Sequence, residues 1–204
     1  MKRRVALLGC GSVVGSLLSG CLSGTSGSPT GTQSQTPSET ESDTSTQTVA
    51  ETPVYDCADA DRPPEPSSDE DPPGENERYI YPQRPESLSD ESKVLSYVEA
   101  YERAYRLNDL YDQYGTDLDH ASIFVYDTWT HEAPEGAAIA RLNCPYSHGY
   151  TQGDDQIEAD SPTIYSSYYI DDAVVLRASV TGHREDESKL VPDPMERGRP
   201  MECF

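Results

Sequence analysis

Lysine is almost missing from this chain: three lysines and twelve arginines stand against 37 Asp and Glu in 204 residues, a formal charge of -22. So few cations argue against a surface that tracks phosphate backbones or docks electrostatically on anionic lipid, since both need clustered Lys and Arg, and nucleic acid is not an expected partner. Apolar residues are scarce too. They make up 34% of the chain, below the usual level of about 45–50%, and the mean hydropathy is -0.72, so part of the chain lies outside any core. No apolar run reaches the roughly 20 residues that a membrane-crossing helix needs. Gly-X-Ser-X-Gly, a phosphate-cradling glycine loop, HExxH, the twelve-residue calcium loop and Asn-X-Ser/Thr are all absent, as is any internal repeat.

The N-terminus carries the clearest signal. Lys2, Arg3 and Arg4 precede an uncharged apolar run from Val5 to Leu18, the pattern of a secretory signal. The run ends in Leu18-Ser19-Gly20-Cys21, which resembles a lipobox, with small residues for the signal peptidase and a thiol to receive diacylglycerol. On that reading residues 1–20 are removed and Cys21 becomes the lipidated first residue. An ordinary signal with a chance cysteine, or a simple N-terminal anchor, is the bland alternative. Arg3-Arg4-Val5-Ala6-Leu7 also resembles a twin-arginine export signal, although Ala6 stands where a bulky apolar residue is preferred, so twin-arginine and general secretory export both stay open. Removing residues 1–20 takes away three cations and no acid, leaving 12 against 37, a formal -25. The acids are spread along the whole length instead of forming one tail. Such a surface resembles proteins adapted to molar salt, where charges are screened within about 3 Å and self-repulsion is tolerable.

Residues 21–52 are about half Ser and Thr with almost no large apolar side chains, which predicts a disordered tether. Residues 53–78 form a Pro- and acid-rich extended segment containing Cys57, and residues 79–204 form a single α+β domain. Ser89, Asp90 and Glu91 predict a helix start with Ser89 as N-cap. Val94, Tyr97, Val98, Tyr101, Ala104 and Tyr105 then recur at helical spacing to about Tyr111 and read as a core face. Glu99 with Arg103 and Glu102 with Arg106 are i,i+4 pairs assigned to the opposite, solvent face. Period-2 patterning follows in 121–129, 137–142, 164–170 and 173–180, pairing as two hairpins across Pro134-Glu135-Gly136 and Asp171-Asp172. The expected architecture is one long helix packed on a four-stranded antiparallel sheet, cystatin-like in outline, an analogy that implies no activity.

The stretch from Tyr81-Pro82-Gln83-Arg84-Pro85 through Tyr97-Val98-Glu99-Ala100-Tyr101-Glu102-Arg103-Ala104-Tyr105-Arg106, the Tyr168-Tyr169 strand, Leu176-Arg177-Ala178 and a cysteine close to the C-terminus resemble a family of haloarchaeal surface lipoproteins of unknown function. The resemblance covers most of residues 57–204. It implies membrane attachment through the lipid on Cys21, exposure to the exterior and an unidentified envelope or extracellular partner, and it supplies no catalytic or ligand residues.

Cys57, Cys144 and Cys203 remain for an oxidising exterior. Cys57 with Cys203 is the favoured pairing because both sit in segments with little else to hold them. Cys144, next to Pro145 at a strand end with an outward-facing thiol, is the alternative partner for Cys57. Cys144-Pro145-Tyr146-Ser147-His148 resembles part of a blue-copper loop but lacks a nearby methionine and a second histidine in pattern. His120, His131 and His183 read as surface or turn histidines. Asp154-Asp155 with Glu158 and Asp160, and Asp171-Asp172, are calcium-type clusters that read as solvated surface. Trp129-Thr130-His131-Glu132 can supply an acid/base pair but reads as a strand end. No catalytic, cofactor or metal residue is assigned. The expected protein is a binding or structural module of the envelope, with a copper or calcium protein or a small extracellular enzyme as the alternative. Its charge predicts that dialysis from molar to low salt causes loss of secondary structure, followed by circular dichroism; equal ellipticity in dilute buffer would count against salt adaptation.

Overall fold

The computed structural model describes residues 52–182, 186 and 188–204. The signal region, Cys21, the Ser/Thr-rich stretch to Glu51, and His183 lie outside these residues. No helix among the described residues is long and apolar enough to cross a membrane.

Helix α1 spans Glu91–Tyr114. Asp90, and not Ser89, is its N-cap: the Asp90 carboxylate accepts from the Lys93 amide at 3.3 Å, while Ser89 lies one residue outside, its hydroxyl against that of Ser87. The helix stops at Gly115, whose φ of 56° is a conformation that favours glycine. Val94, Tyr97, Val98, Tyr101 and Ala104 are buried as their spacing predicts. Glu102 and Arg106 are a correction, since both are buried and not on a solvent face.

Eight strands follow among the described residues: β1 (Leu118–Ile123), β2 (Asp127–His131), β3 (Ala138–Asn143), β4 (Tyr146–Gln152), β5 (Asp155–Asp160), β6 (Ile164–Ile170), β7 (Val174–Thr181) and β8 (Arg199–Cys203). A four-residue helix, α2 (Pro194–Arg197), precedes β8. The expected single four-stranded sheet is therefore corrected to two antiparallel sheets, one of five strands in the order β2-β3-β6-β7-β8 and one of three in the order β1-β4-β5.

The single strand expected over 121–129 divides because its halves serve different sheets: β1 pairs with β4, and β2 with β3. Between them the Phe124 amide donates to Pro145 O and the Tyr126 amide to Asn143 O, carrying the chain across. The two expected hairpins form. At the second, Asp171 suits the turn through its side chain, whose Oδ1 accepts from the Ala173 and Val174 amides at 2.8 Å each. The β4–β5 hairpin turns at Gly153, with φ of 66°.

The five-stranded sheet is covered on both sides. Helix α1 packs its tyrosines and valines on Ala138, Ala140, Leu142, Tyr168, Ile170 and Val175, and the opposite face buries Ile139, Tyr169, Val174 and Leu176. Burial of each large apolar side chain contributes about 1.5–3 kcal/mol. The C-terminal half of α1 packs Leu107, Leu110 and Tyr111 against Leu118 and Ile123 of β1.

The Pro-rich segment ahead of α1 is exposed at most positions yet held to this body. The hydroxyls of Tyr81 and Tyr79 donate to Pro63 O at 2.9 Å and Pro73 O at 3.0 Å, and Arg62 pairs with Glu202 at 2.6 Å. Cys57 is bridged to Cys203, joining the start of this segment to β8. Cys144 is a free thiol and, contrary to the outward orientation expected, fully buried. In the chain-entropy description of cross-links, closing so long a loop contributes about 4 to 5 kcal/mol. Cys203→Ser should lower the unfolding free energy by about that amount in denaturant titrations under non-reducing conditions, and a loss below about 1 kcal/mol would contradict it.

Candidate functional site

The molecule's centre of charge chemistry is a carboxylate that no solvent reaches. Glu102 projects from the middle of α1 onto β6 and β7 and is 0% exposed. In the antiparallel register Tyr168 of β6 stands opposite Arg177 of β7, and Ser166 opposite Ser179, so the alternation of the strands brings all four to the face under α1. Arg177 donates to Glu102 through Nε at 2.8 Å and Nη2 at 2.9 Å, a two-bond fork. Arg106, one turn further along the helix, donates from Nε at 2.9 Å. The hydroxyls of Ser166, at 3.0 Å, and of Tyr168 also donate to it, and the Cys144 thiol does so at 3.3 Å.

This constellation decides the protonation states. Burial pushes the Glu102 carboxyl upward, but the charges of Arg177 and Arg106 and the hydrogen bonds from Arg177 and Tyr168 outweigh it and hold the group well below the usual carboxylate range. Burial lowers Arg177 and Arg106, and the Glu102 charge more than offsets this, so both stay cationic. Burial and the same carboxylate push Cys144 and Tyr168 up, keeping thiol and phenol protonated. Glu102 has spent its acceptor sites and cannot serve as a general base, and a buried protonated thiol is a poor nucleophile.

One edge of the network reaches solvent. Arg177 Nη1 has only a 3.5 Å contact, to Ser179 Oγ, and its guanidinium lies 4.0 Å above the Tyr105 ring. Beyond it opens a cavity of about 360 Å³ bordered by Arg197, Arg199, Ser179, Asp61 and Asp109. A larger concavity, about 790 Å³, runs along residues 54–61 and shares Arg199. Its charged lining residues, Asp56, Asp59, Asp61 and Arg199, are all exposed, so the smaller one, which reaches the buried Arg177, is the chemically distinctive site.

The residues singled out in the sequence lie elsewhere. His148 faces Tyr114, with Nε2 3.3 Å from its hydroxyl, while Cys144 faces Glu102, so the copper-like pair is engaged by separate partners. His120 contacts Glu158 on the exposed three-stranded sheet. His131, on β2, is lowered by burial and by Arg141. Asp155, Glu158 and Asp160 lie on β5, with Asp154 in its turn, and Asp171 is taken up by the β6–β7 turn and by the Tyr169 hydroxyl. No group of three or more His, Cys, Asp and Glu side chains able to hold a metal ion occurs among the described residues. Glu102 and Arg177 fall inside the stretches that carry the family resemblance but receive no functional role from it, and Arg197 and Arg199 lie in no motif. The one available signal was Arg177, a charge inside the otherwise apolar run 173–180, which requires a buried countercharge. No family model, curated protein or solved structure matches this chain.

Glu102→Gln leaves Arg177 buried without its countercharge and should cost about 3–5 kcal/mol at neutral pH. Because the folded pKa of Glu102 is depressed, its contribution is complete above the unfolded carboxylate value of about 4.3 and is lost as pH falls toward the folded value. The gap between wild type and Glu102→Gln, measured by denaturant unfolding with near-ultraviolet circular dichroism, should narrow below about pH 4. A gap that is independent of pH would overturn the assignment.

Proposed function

We propose that this chain is a lipid-anchored module displayed outside the cell membrane, of the haloarchaeal lipoprotein type, and that it works by binding. Anchoring rests on the lipobox-like Leu18-Ser19-Gly20-Cys21. The Cys57–Cys203 bridge supports an oxidising location, where disulfides persist. The excess of acids over the whole chain supports service in concentrated salt.

The observation that carries the binding reading is the use of Glu102. Its six donors make it a fixed support for Arg177, and Arg177 presents its remaining edge to an open cavity. A rigid cation held at a pocket floor by a carboxylate beneath it is suited to recognition, since the charge costs no reorganisation when a ligand arrives. The unidentified partner of the sequence reading is then whatever enters this pocket or meets the surface around it.

Anchoring is tested by Cys21→Ser in the native host. The variant should appear in the culture medium while the wild type sediments with membranes, followed by immunoblotting of both fractions. Equal membrane association of the two would refute lipid attachment at Cys21.

A further inference from the structure

The cavity above Arg177 collects arginines in a molecule that has few cations to distribute. In the β7–β8 register Arg177 stands directly opposite Arg199. Like charges placed opposite one another across a sheet repel, at a cost of the same order as other cross-strand pairs, about 0.2–1 kcal/mol. Glu102 compensates Arg177 from below, yet Arg199 makes no ion pair, and neither does Arg197 from the end of α2, among the described residues. Both arginines are exposed and both border the cavity.

The two acids at the rim do not satisfy them. Asp109 lies 4.0 Å from Arg106 on its own helix, and Asp61 is fixed through its backbone amide, which donates to Pro200 O. In a chain with 37 Asp and Glu against 15 Lys and Arg, free carboxylates are available everywhere, so two arginines left unpaired beside a third are not explained by a shortage of partners.

We propose that the pocket formed by Arg177, Arg197 and Arg199 binds a small dianion, a dicarboxylate or a phosphate. The planar guanidinium fork matches both groups, and three of them converge on one cavity. Ser179 adds a hydroxyl donor, and the Tyr105 ring and Met201 give the pocket an apolar side for the body of a ligand. The bound charge relieves the Arg177–Arg199 repulsion, which couples binding to the β7–β8 pairing. Asp61 and Asp109 at the rim disfavour long polyanions and leave room for a compact ligand.

The assignment deepens the binding reading and rests on it, but not on lipid attachment. Fractionation of Cys21→Ser bears on location alone, and the titration below bears on the ligand alone. The full chain, purified in molar potassium chloride, is titrated calorimetrically with inorganic phosphate and, separately, with succinate. Saturable heat is expected with at least one of them: phosphate alone identifies a tetrahedral oxyanion, and succinate alone a carboxylate. In R197Q/R199Q, which changes only exposed side chains, the affinity should fall at least tenfold while the circular dichroism spectrum and unfolding midpoint stay as in wild type. No saturable heat from either probe, or an unchanged affinity in R197Q/R199Q, overturns the proposal.

Discussion

The ion pair between Glu102 and Arg177 is the constraint around which the rest of the domain is arranged. Removing two charges from water costs several kcal/mol per ion, and their attraction repays this only when geometry is good and the remaining hydrogen-bonding sites are filled. Here two direct bonds join the pair, and Arg106, Ser166, Tyr168 and Cys144 fill the remaining acceptor sites of Glu102, leaving only one edge of Arg177 unfilled. Such a network is satisfied in one arrangement only. It sets the rotation and axial position of α1 on β6 and β7, because a helix shifted by one residue would carry the carboxylate off the Arg177 fork and leave six donors unpaired.

The core around that pair is unusual. The chain has 14 tyrosines and two phenylalanines, so much of the buried volume comes with a hydroxyl that needs an acceptor. Tyr168 finds one in Glu102 and Tyr169 in Asp171. Tyr79 and Tyr81 find theirs in the carbonyls of Pro73 and Pro63. A Pro-rich extended segment is well suited to this, since its carbonyls are not used internally. The segment that looks like a spacer in the sequence thus caps the phenol edge of the core, and the Cys57–Cys203 bridge and the Arg62–Glu202 pair secure its near end to β8.

The parts legible in the sequence were those where one local period prevails. Val94 to Tyr105 marked α1, and the β-branched and aromatic runs marked β3, β6 and β7. The three-stranded sheet stayed hidden because β4 and β5 are largely polar and half exposed: they do alternate, through Tyr146, His148 and Tyr150 and through Ile157 and Ala159, but with no aliphatic run to draw attention to them. β8 is short and contains Pro200 at a sheet edge, a composition that resembles a loop. The Phe124–Tyr126 crossing was invisible because changing sheets is a tertiary choice that leaves the local pattern unbroken. Glu102 was misplaced for a related reason. An i,i+4 pair of Glu and Arg is what a solvated helix face looks like, and only Arg177, 75 residues away, shows that this one faces inward.

The arginines above that pair gain meaning from the charge of the whole. Both lysines in the described residues lie near acids on the surface, Lys93 beside Asp90 and Lys189 beside Asp186, whereas every cation at the pocket is arginine. On the reading of this chain as salt-adapted, the distinction follows from screening. In molar salt a charge acts over about 3 Å, so long-range steering contributes little and recognition must come from direct contact. A guanidinium keeps its directional fork under those conditions, while an ammonium keeps only a point charge that concentrated counterions readily mask. On that reading, and with the proposed oxyanion site, an acidic surface for solubility and an arginine-only pocket for contact recognition are two responses to one solvent.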